Sequence, residues 1–145
     1  MAMAMGRPMN DVVVVAGIRI PLRRWEPTDR AFIAVTWGLG DRAAGGAPEA
    51  VHREWHPKVV DRLLDTNGAV VACSERVPST IYGWACGSER VLHYAHVVPE
   101  LRGHGLGRAL IAAATGGHDR IEVTHRWVRP PSWVTFNPYR LMVGQ

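Results

Sequence analysis

The pattern of apolar and polar positions divides the chain into strand-like and helix-like segments. β-Branched and apolar residues in the first part predict one strand near 12–16 and a second near 18–24, or a single kinked strand. Apolar residues at helical spacing then predict a helix that starts with Thr28 as its N-cap and ends near Leu39. The chain is therefore expected to begin as strand, strand, helix.

Glycine and proline positions indicate where the next elements begin and end. Closely spaced glycines predict a flexible loop over about 38–48, of the kind that often serves as a lid or binding loop. Pro57 is disfavoured deep inside a helix, so it is predicted to occupy the first position of a second helix running to about Thr66. Asn67-Gly68 is expected to end this helix. Four residues are predicted on its buried face: Val59, Val60, Leu63 and Leu64.

The second half of the chain alternates short apolar runs with turns and one further helix pattern. Strands are predicted at 69–75, 80–86, 90–98 and 120–127, and a helix at 105–115. The tail from 129 onward is expected to hold no long regular element. This order predicts an α/β fold, with a mixed central sheet flanked by helices.

Composition and charge narrow the class of protein. The chain has 145 residues, 47% hydrophobic and 21% charged, which is typical of a globular domain. We expect one domain over 11–145, preceded by a flexible tail over 1–10. No apolar run has the length of a membrane span, and no signal-peptide pattern is present, so a cytoplasmic location is expected. The formal charge of +4 suits phosphate-bearing ligands and also leaves nucleic acid open as a partner.

Neither cysteines nor histidines predict a metal site. Cys73 and Cys86 lie in strand-like runs and are expected to be buried, inert thiols. His52 and His56 are four residues apart and could bind a metal on a helix. With Pro57 next to them and no third ligand nearby in sequence, a surface pair is the favoured interpretation.

The segment Arg102-Gly103-His104-Gly105-Leu106-Gly107-Arg108 is the strongest functional signal. It lies between a predicted strand and a predicted helix. Glycines allow backbone N–H groups to approach an anion, and a helix N-terminus adds partial positive charge. The spacing fits neither a P-loop nor a dinucleotide fingerprint. An alternative interpretation is an ordinary tight turn between a strand and a helix.

The pattern Arg102-x-x-Gly105-x-Gly107 resembles the pyrophosphate loop of the GCN5-related N-acetyltransferase (GNAT) family. The resemblance covers about residues 18–127 by the order of elements. Further short segments resemble small phage-encoded members: Arg23 to Ile33, Ile81 to Trp84, His93-Tyr94, Thr124-His125 and Asn137-Pro138-Tyr139. The resemblance implies a GNAT-like fold that binds acetyl-CoA or another acyl-CoA. Because few residues follow the fifth core strand, the C-terminal part is expected to be shortened.

The resemblance also implies which residues would carry the chemistry. The strand before the glycine loop would offer backbone groups to the pantetheine arm of the cofactor. The implied cofactor-binding residues are Ala95, His96, Val97, Val98, Arg102, Gly103, His104, Gly105, Leu106, Gly107 and Arg108.

A base must accept a proton from the attacking amine, and an acid must protonate the leaving thiolate. His96 and His93 are candidates for the base; they lie three apart on one strand, so they are expected to point to opposite faces. Glu100 and Glu122 are the carboxylate alternatives. By resemblance, Tyr139 is the candidate acid. The alternative is a structural role, in which Tyr139 packs on the core and anchors the tail.

Three functions remain open at this point. The first is acyl-CoA-dependent N-acyl transfer to a small-molecule or protein amine. The second is a DNA-modifying enzyme on the same fold, similar to the Mom-type phage proteins, suggested by the arginines and tryptophans over 126–140. The third is a non-catalytic virion or assembly protein, which predicts an occluded or empty cofactor groove and a stable protein complex. A partner subunit could complete the acceptor side, so a homo-oligomer is also open.

Overall fold

A computed structural model describes residues 11–44 and 47–141. The strands are β1 (Val12–Val15), β2 (Ile18–Arg24), β3 (Val70–Cys73), β4 (Ile81–Ser88), β5 (Val91–Val97), β6 (Ile121–Val123) and β7 (Val134–Phe136). The helices are α1 (Arg30–Ala44), α2 (Glu49–Asn67) and α3 (Leu106–Thr115), with short 3-10 helices at Pro27–Asp29, Pro99–Leu101 and Pro138–Leu141. The predicted tail over 1–10 lies outside the described residues.

The seven strands form one sheet in which neighbours in sequence are neighbours in space, from β1 to β7. Strands β1 to β5 pair antiparallel, whereas β5 with β6 and β6 with β7 pair parallel. The parallel pairing of β5 with β6 follows from α3, which carries the chain back across the sheet, whereas a connection without a helix joins β6 to β7. The predicted mixed sheet with flanking helices is confirmed.

Helices cover both faces of the sheet. On one face α3 contributes Leu106 and Leu110 to a buried cluster that also contains Leu92 of β5. On the other face α1 and α2 pack on Trp84, which is fully buried. Cys73 and Cys86 are buried free thiols in this second cluster, as expected. No helix in the described ranges combines the length and apolar character that crossing a bilayer requires.

The predicted loop over 38–48 is wrong for most of its length, because α1 continues to Ala44. The glycines in this helix serve packing. A Cβ on Gly40 would lie 1.7 Å from the hydroxyl oxygen of Tyr94, so only glycine leaves room for that ring. Gly38 faces the rings of His52 and His56. Residues 45 and 46, also in the predicted loop, lie outside the described residues.

The predicted start of α1 at Thr28 is also corrected. Glu26 is the capping residue of a 3-10 turn, and its N–H donates to Asp29 Oδ2 at 2.7 Å. Arg23 donates to both oxygens of the buried Asp29 carboxylate, at 2.7 and 3.0 Å. Burial opposes the charge of Asp29, but these hydrogen bonds hold its pKa below the ordinary value. The turn therefore ends on an anchored carboxylate, and α1 proper begins at Arg30.

Helix α2 begins at Glu49, eight positions before the predicted start at Pro57. Pro57 lies inside the helix on its exposed side, where water can hydrate the carbonyl that loses its partner. Val59 is 43% exposed, so its predicted place on the buried face is wrong. Gly68 ends the helix with a φ of 71°, as Asn67-Gly68 predicted.

The predicted strand over 120–127 is shorter in the structure, because β6 ends at Val123. The tail holds two short elements, β7 and a 3-10 helix. Strand β5 carries a bulge: Cys86 pairs with Tyr94 and Gly87 with Leu92, which leaves His93 as the extra residue.

Candidate functional site

The sheet opens between β5 and β6. Their pairing is limited to Val91 with Glu122 and Leu92 with Val123, followed by a bond from Thr124 N–H to Leu92 O at 3.1 Å. Beyond this point β5 continues to Val97, while the chain after Thr124 leaves the sheet. One edge of β5 is therefore without a neighbouring strand over its last residues.

A cavity of about 410 Å³ occupies this opening. Strand β5 contributes Tyr94, Ala95, His96 and Val97 to its wall, and α3 contributes Gly107 and Ile111. The segment from His125 to Arg129 forms the opposite wall. The cavity thus connects the open strand edge with the first turn of α3.

The direction of the backbone N–H and C=O groups decides which β5 residues can bind a ligand in the opening. Val98 N–H donates to Tyr82 O at 2.9 Å, and His96 pairs with Trp84, so both direct their backbone groups toward β4. Because direction alternates along a strand, Ala95 and Val97 direct theirs toward the opening. Val98 O already accepts from Leu101 N–H at 3.0 Å. Ala95 therefore offers both backbone groups and Val97 offers its N–H, because Val97 O accepts from Arg102 Nε. The backbone groups of His96 and Val98 are not offered to the opening.

The glycine loop forms an open turn at the N-terminus of α3. Gly103 and Gly105 have φ values of 83° and 90°, and an added Cβ would meet no atom within 4 Å at either position. They are needed for backbone conformation, and the space above them is free. Ala109 N–H makes a 3.1 Å bond to Gly105 O. The N–H groups of Leu106, Gly107 and Arg108 belong to the first turn, where a helix provides no acceptor for them. They are therefore available to bind an anion.

Arginines surround the opening. Arg102 Nε donates to Val97 O at 2.8 Å, which holds its guanidinium at the end of β5. Arg108 stacks on Trp133 with its Cζ 4.0 Å from the ring centroid. Arg126 and Arg129 line the cavity itself. This distribution of charge suits a ligand that carries several phosphates.

His93 is placed differently from the other candidate base. Its side chain is buried, and its Nδ1 lies 3.0 Å from Thr124 Oγ1. Burial, with a smaller effect from His125, lowers the pKa of His93 to about 4. These contacts favour a structural role at the bulge. The expected opposition of His93 and His96 across the strand also assumed regular alternation, which the bulge interrupts.

His96 lines the cavity and is half-buried against Phe32, with ring centroids 6.0 Å apart. Burial, together with the nearby positive charge of Arg102, lowers its pKa below the ordinary value. At neutral pH the imidazole is therefore uncharged and can accept a proton.

His125 is a cavity residue that the sequence did not single out for catalysis. Its ring lies 4.7 Å from that of Tyr94. Burial lowers the pKa of His125 to about 4, against opposing effects of Asp41 and the His93 backbone. Its position after a three-residue strand gave no signal, because only the separation of β5 and β6 exposes it to the cavity.

Three other sequence candidates lie away from the cavity wall. Tyr139 is 72% exposed in the last 3-10 helix. This exposure also does not fit the structural alternative, in which Tyr139 packs on the core. Glu122 is held by Arg140 at 2.8 Å and by Asn137 Nδ2 at 2.9 Å. Glu100 is exposed in the 3-10 helix Pro99–Leu101.

The structure corrects the interpretation of His52 and His56 as a plain surface pair. Both are half-buried, and α1 brings Asp41 beside them. His56 Nε2 lies 2.9 Å from Asp41 Oδ2. A third candidate ligand is therefore present, supplied by a different helix.

A comparison with protein-family models gives no match, and a comparison with curated protein sequences gives none either. Solved structures do match. A GNAT-family acetyltransferase from Listeria monocytogenes matches with a TM-score of 0.51 at 13% identity, over 72% of each chain. A GNAT-family acetyltransferase from Brucella melitensis, solved with acetyl-CoA, matches with a TM-score of 0.50 at 17% identity, over 86% of this chain and 81% of that one.

This chain has a GNAT fold. The apo form of YjaB from Escherichia coli is also similar, with a TM-score of 0.52 at 22% identity, over 70% of this chain and 68% of that one. After β6, the described tail contains β7, of three residues, and one 3-10 helix.

Proposed function

We propose that this protein is an acyl-CoA-dependent N-acyltransferase that moves an acetyl group from acetyl-CoA to an amine. The observation that carries the proposal is the continuous path from the open edge of β5, through the 410 Å³ cavity, to the glycine turn at the start of α3. The acetyl-CoA complex of the Brucella melitensis neighbour supports the choice of cofactor.

The residues present fit an acyl-CoA. The free space over Gly103 and Gly105 and the amides of 106–108 suit the pyrophosphate. Ala95 and Val97 can hold the pantetheine arm through backbone hydrogen bonds. Arg126 and Arg129 on the opposite wall add charge for the remaining phosphate. His104 is exposed, so we assign its predicted contribution to the backbone amide.

When bound, acetyl-CoA supplies an activated thioester. The N–H groups on the open side of β5 would polarise the acyl carbonyl, as oxyanion-type donors do. His96 would accept the proton that the amine loses as its nitrogen bonds the acyl carbon and the carbon–sulfur bond breaks. Tyr139 lies outside the cavity wall, and the low pKa of His125 leaves its ring uncharged at neutral pH, so the thiolate would take its proton from water.

The two alternative functions receive no comparable support. The non-catalytic alternative predicted an occluded or empty groove, and the cavity here is not occluded. The DNA-modifying alternative was based on the arginines and tryptophans over 126–140, but Arg140 pairs with Glu122 and the Trp133 ring is covered by Arg108. The phage origin, the cytoplasmic location, the division into one domain and a tail, and the oligomeric state stay predictions.

The test is calorimetric titration of acetyl-CoA into the wild type, Gly105→Glu and Gly117→Glu. Both glycines have positive φ, 90° and 73°, and open space around an added Cβ, so the backbone strain is matched. Only Gly105 lies in the anion turn, where a carboxylate repels phosphate. We expect binding to be lost in Gly105→Glu alone. Equal binding by all three proteins, or none by the wild type, would overturn the proposal.

A further inference from the structure

A cluster of metal-ligating side chains lies between α1 and α2, away from the cavity. It consists of Asp41 from α1 and His52 and His56 from α2, and we call it the α1–α2 cluster. Each residue offers one ligand atom, and the three atoms lie within 4.8 Å of one another. His52 and His56 are one helical turn apart, and their rings stack with centroids 4.5 Å apart.

The hydrogen bonding of this cluster is incomplete. Among the described residues, neither ring nitrogen of His52 has a hydrogen-bond partner, although both are shielded from solvent. His56 Nε2 approaches Asp41 Oδ2 at 2.9 Å without the alignment of a hydrogen bond. A buried polar atom without a hydrogen-bond partner destabilises the folded state. Such an atom calls for an explanation, and a bound ion is one of the few available.

We propose that the α1–α2 cluster binds a divalent transition-metal ion, with Zn²⁺ as the preferred species. Two imidazole nitrogens and one carboxylate oxygen are ligands that zinc accepts, with water completing a tetrahedron. Zinc bonds of about 2.0–2.2 Å place ligand atoms about 3.3 Å apart. Small rotations of the three side chains would bring the ligand atoms to this spacing.

The packing around the cluster leaves room for those rotations. A Cβ on Gly38 would lie 3.7 Å from His56 Cε1 and 3.8 Å from His52 Cε1, so the glycine keeps α1 clear of both rings. On the other side, Trp37 contacts the His56 ring edge-on, with centroids 6.1 Å apart. Gly38 and Trp37 therefore border the two rings without a contact short enough to prevent these rotations.

The ion would join α1 to α2 and take no part in acyl transfer. None of the three ligands belongs to the cavity wall that the described residues form. They would act on the site in two ways. The charge of Asp41 favours a higher pKa for the cavity residues Tyr94 and His125, and Trp37 stacks on Tyr94 with centroids 5.6 Å apart. The proposal stands independently of acyltransferase activity.

The test uses the full-length protein stripped with a chelator, and Zn²⁺ and Co²⁺ as probes. We expect one Zn²⁺ per chain, a rise of the melting temperature with Zn²⁺ concentration, and a visible absorption band with Co²⁺ typical of four-coordination. His52→Leu, His56→Leu and Asp41→Asn should each weaken Zn²⁺ binding at least tenfold. His118→Gln is the matched control, because His118 also pairs with a carboxylate, that of Glu89, on a different surface.

A second comparison guards against variants that fail to fold. In chelator, His52→Leu should melt at or above the wild-type temperature, because it removes two unpaired nitrogens. In Zn²⁺ the wild type should have the higher melting temperature of the two. Absence of saturable Zn²⁺ and Co²⁺ binding by the wild type would overturn the proposal, as would binding that survives all three substitutions.

Discussion

Gly40 and Tyr94 show how one residue decides the packing of α1 on the sheet. A Cβ on Gly40 would lie 1.7 Å from the Tyr94 hydroxyl oxygen and 2.7 Å from Cζ. Gly40→Ala must displace the ring, and we expect it to lower the free energy of unfolding by about 1–3 kcal/mol. Urea denaturation in chelator measures the change.

Gly38→Ala is the control for helix propensity, because its Cβ would make only ordinary contacts near 3.7 Å. Alanine is the better helix former by about 0.8–1 kcal/mol, so this variant should be slightly more stable than the wild type. Equal effects of the two substitutions would show that the Tyr94 contact does not determine the choice of glycine at position 40.

His96 is the residue on which the proposed proton transfer depends. It lines the cavity, and burial with the nearby Arg102 lowers its pKa, so it is neutral at pH 7. We expect His96→Gln to lower kcat for acetyl transfer by about 10²-fold or more. The KM for acetyl-CoA should change little, since the backbone groups of Ala95 and Val97 remain.

His125→Gln separates the two cavity histidines, and His118→Gln, outside the cavity wall, serves as the control. Thiol release from acetyl-CoA, followed with a panel of amines, gives the rates. A His96→Gln enzyme with full kcat, alongside a slow His125→Gln enzyme, would transfer the role of base to His125.

At the scale of elements, Pro57 is the feature of α2 that most opposes its helical state. Proline inside a helix removes one backbone hydrogen bond and costs about 3 kcal/mol, part of which is offset because it also restricts the unfolded chain. We expect Pro57→Ala to raise the free energy of unfolding by about 1–2 kcal/mol. Pro48→Ala, at the N-cap where no helical N–H is needed, should change it much less. Thermal denaturation followed by circular dichroism compares the two variants.

The same elements show which parts of the fold could be predicted from the sequence. The turn at Gly103 and Gly105 was predictable because glycine there meets a local need, a positive φ before a helix. Gly38 and Gly40 could not be told apart in sequence, but only Gly40 is required by a contact with a residue far along the chain, Tyr94. Pro57 was misplaced for a similar reason, because only the packed structure shows that it lies on the exposed side of α2.

At the scale of the whole molecule, the cavity exists because β5 and β6 separate. No local pattern in the sequence predicts where two strands separate. The sequence predicted the glycine turn and the adjoining strand, and both border the cavity. It missed His125, because β6 ends earlier than its apolar pattern suggested. It also missed Asp41 as a partner of His52 and His56, since that contact needs α1 and α2 to pack side by side.

Two histidines, His93 in the core and His125 at the cavity wall, make the stability of the whole molecule depend on pH. The pKa values of His93 and His125 are each lowered by burial to about 4, against about 6.5 in an unfolded chain. Between these values the unfolded state binds more protons, so stability falls as pH falls. We expect full stability above pH 6.5 and a loss of about 3 kcal/mol from His93 alone as the pH approaches 4.

Urea denaturation at intervals from pH 7.5 to 4.5, in chelator to exclude metal binding, measures this slope. His93→Gln cannot be protonated, so its stability should fall less steeply with acid, whatever its value at pH 7.5. His104→Gln, which removes an exposed histidine, should keep the wild-type slope. The lowest pH of the series lies above the pH at which the buried carboxylate of Asp29 becomes protonated. The slope of the unfolding free energy against pH therefore reflects protonation of the histidines. A wild-type slope retained in His93→Gln would mean that His93 becomes protonated without unfolding, and that its bond to Thr124 tolerates the charge.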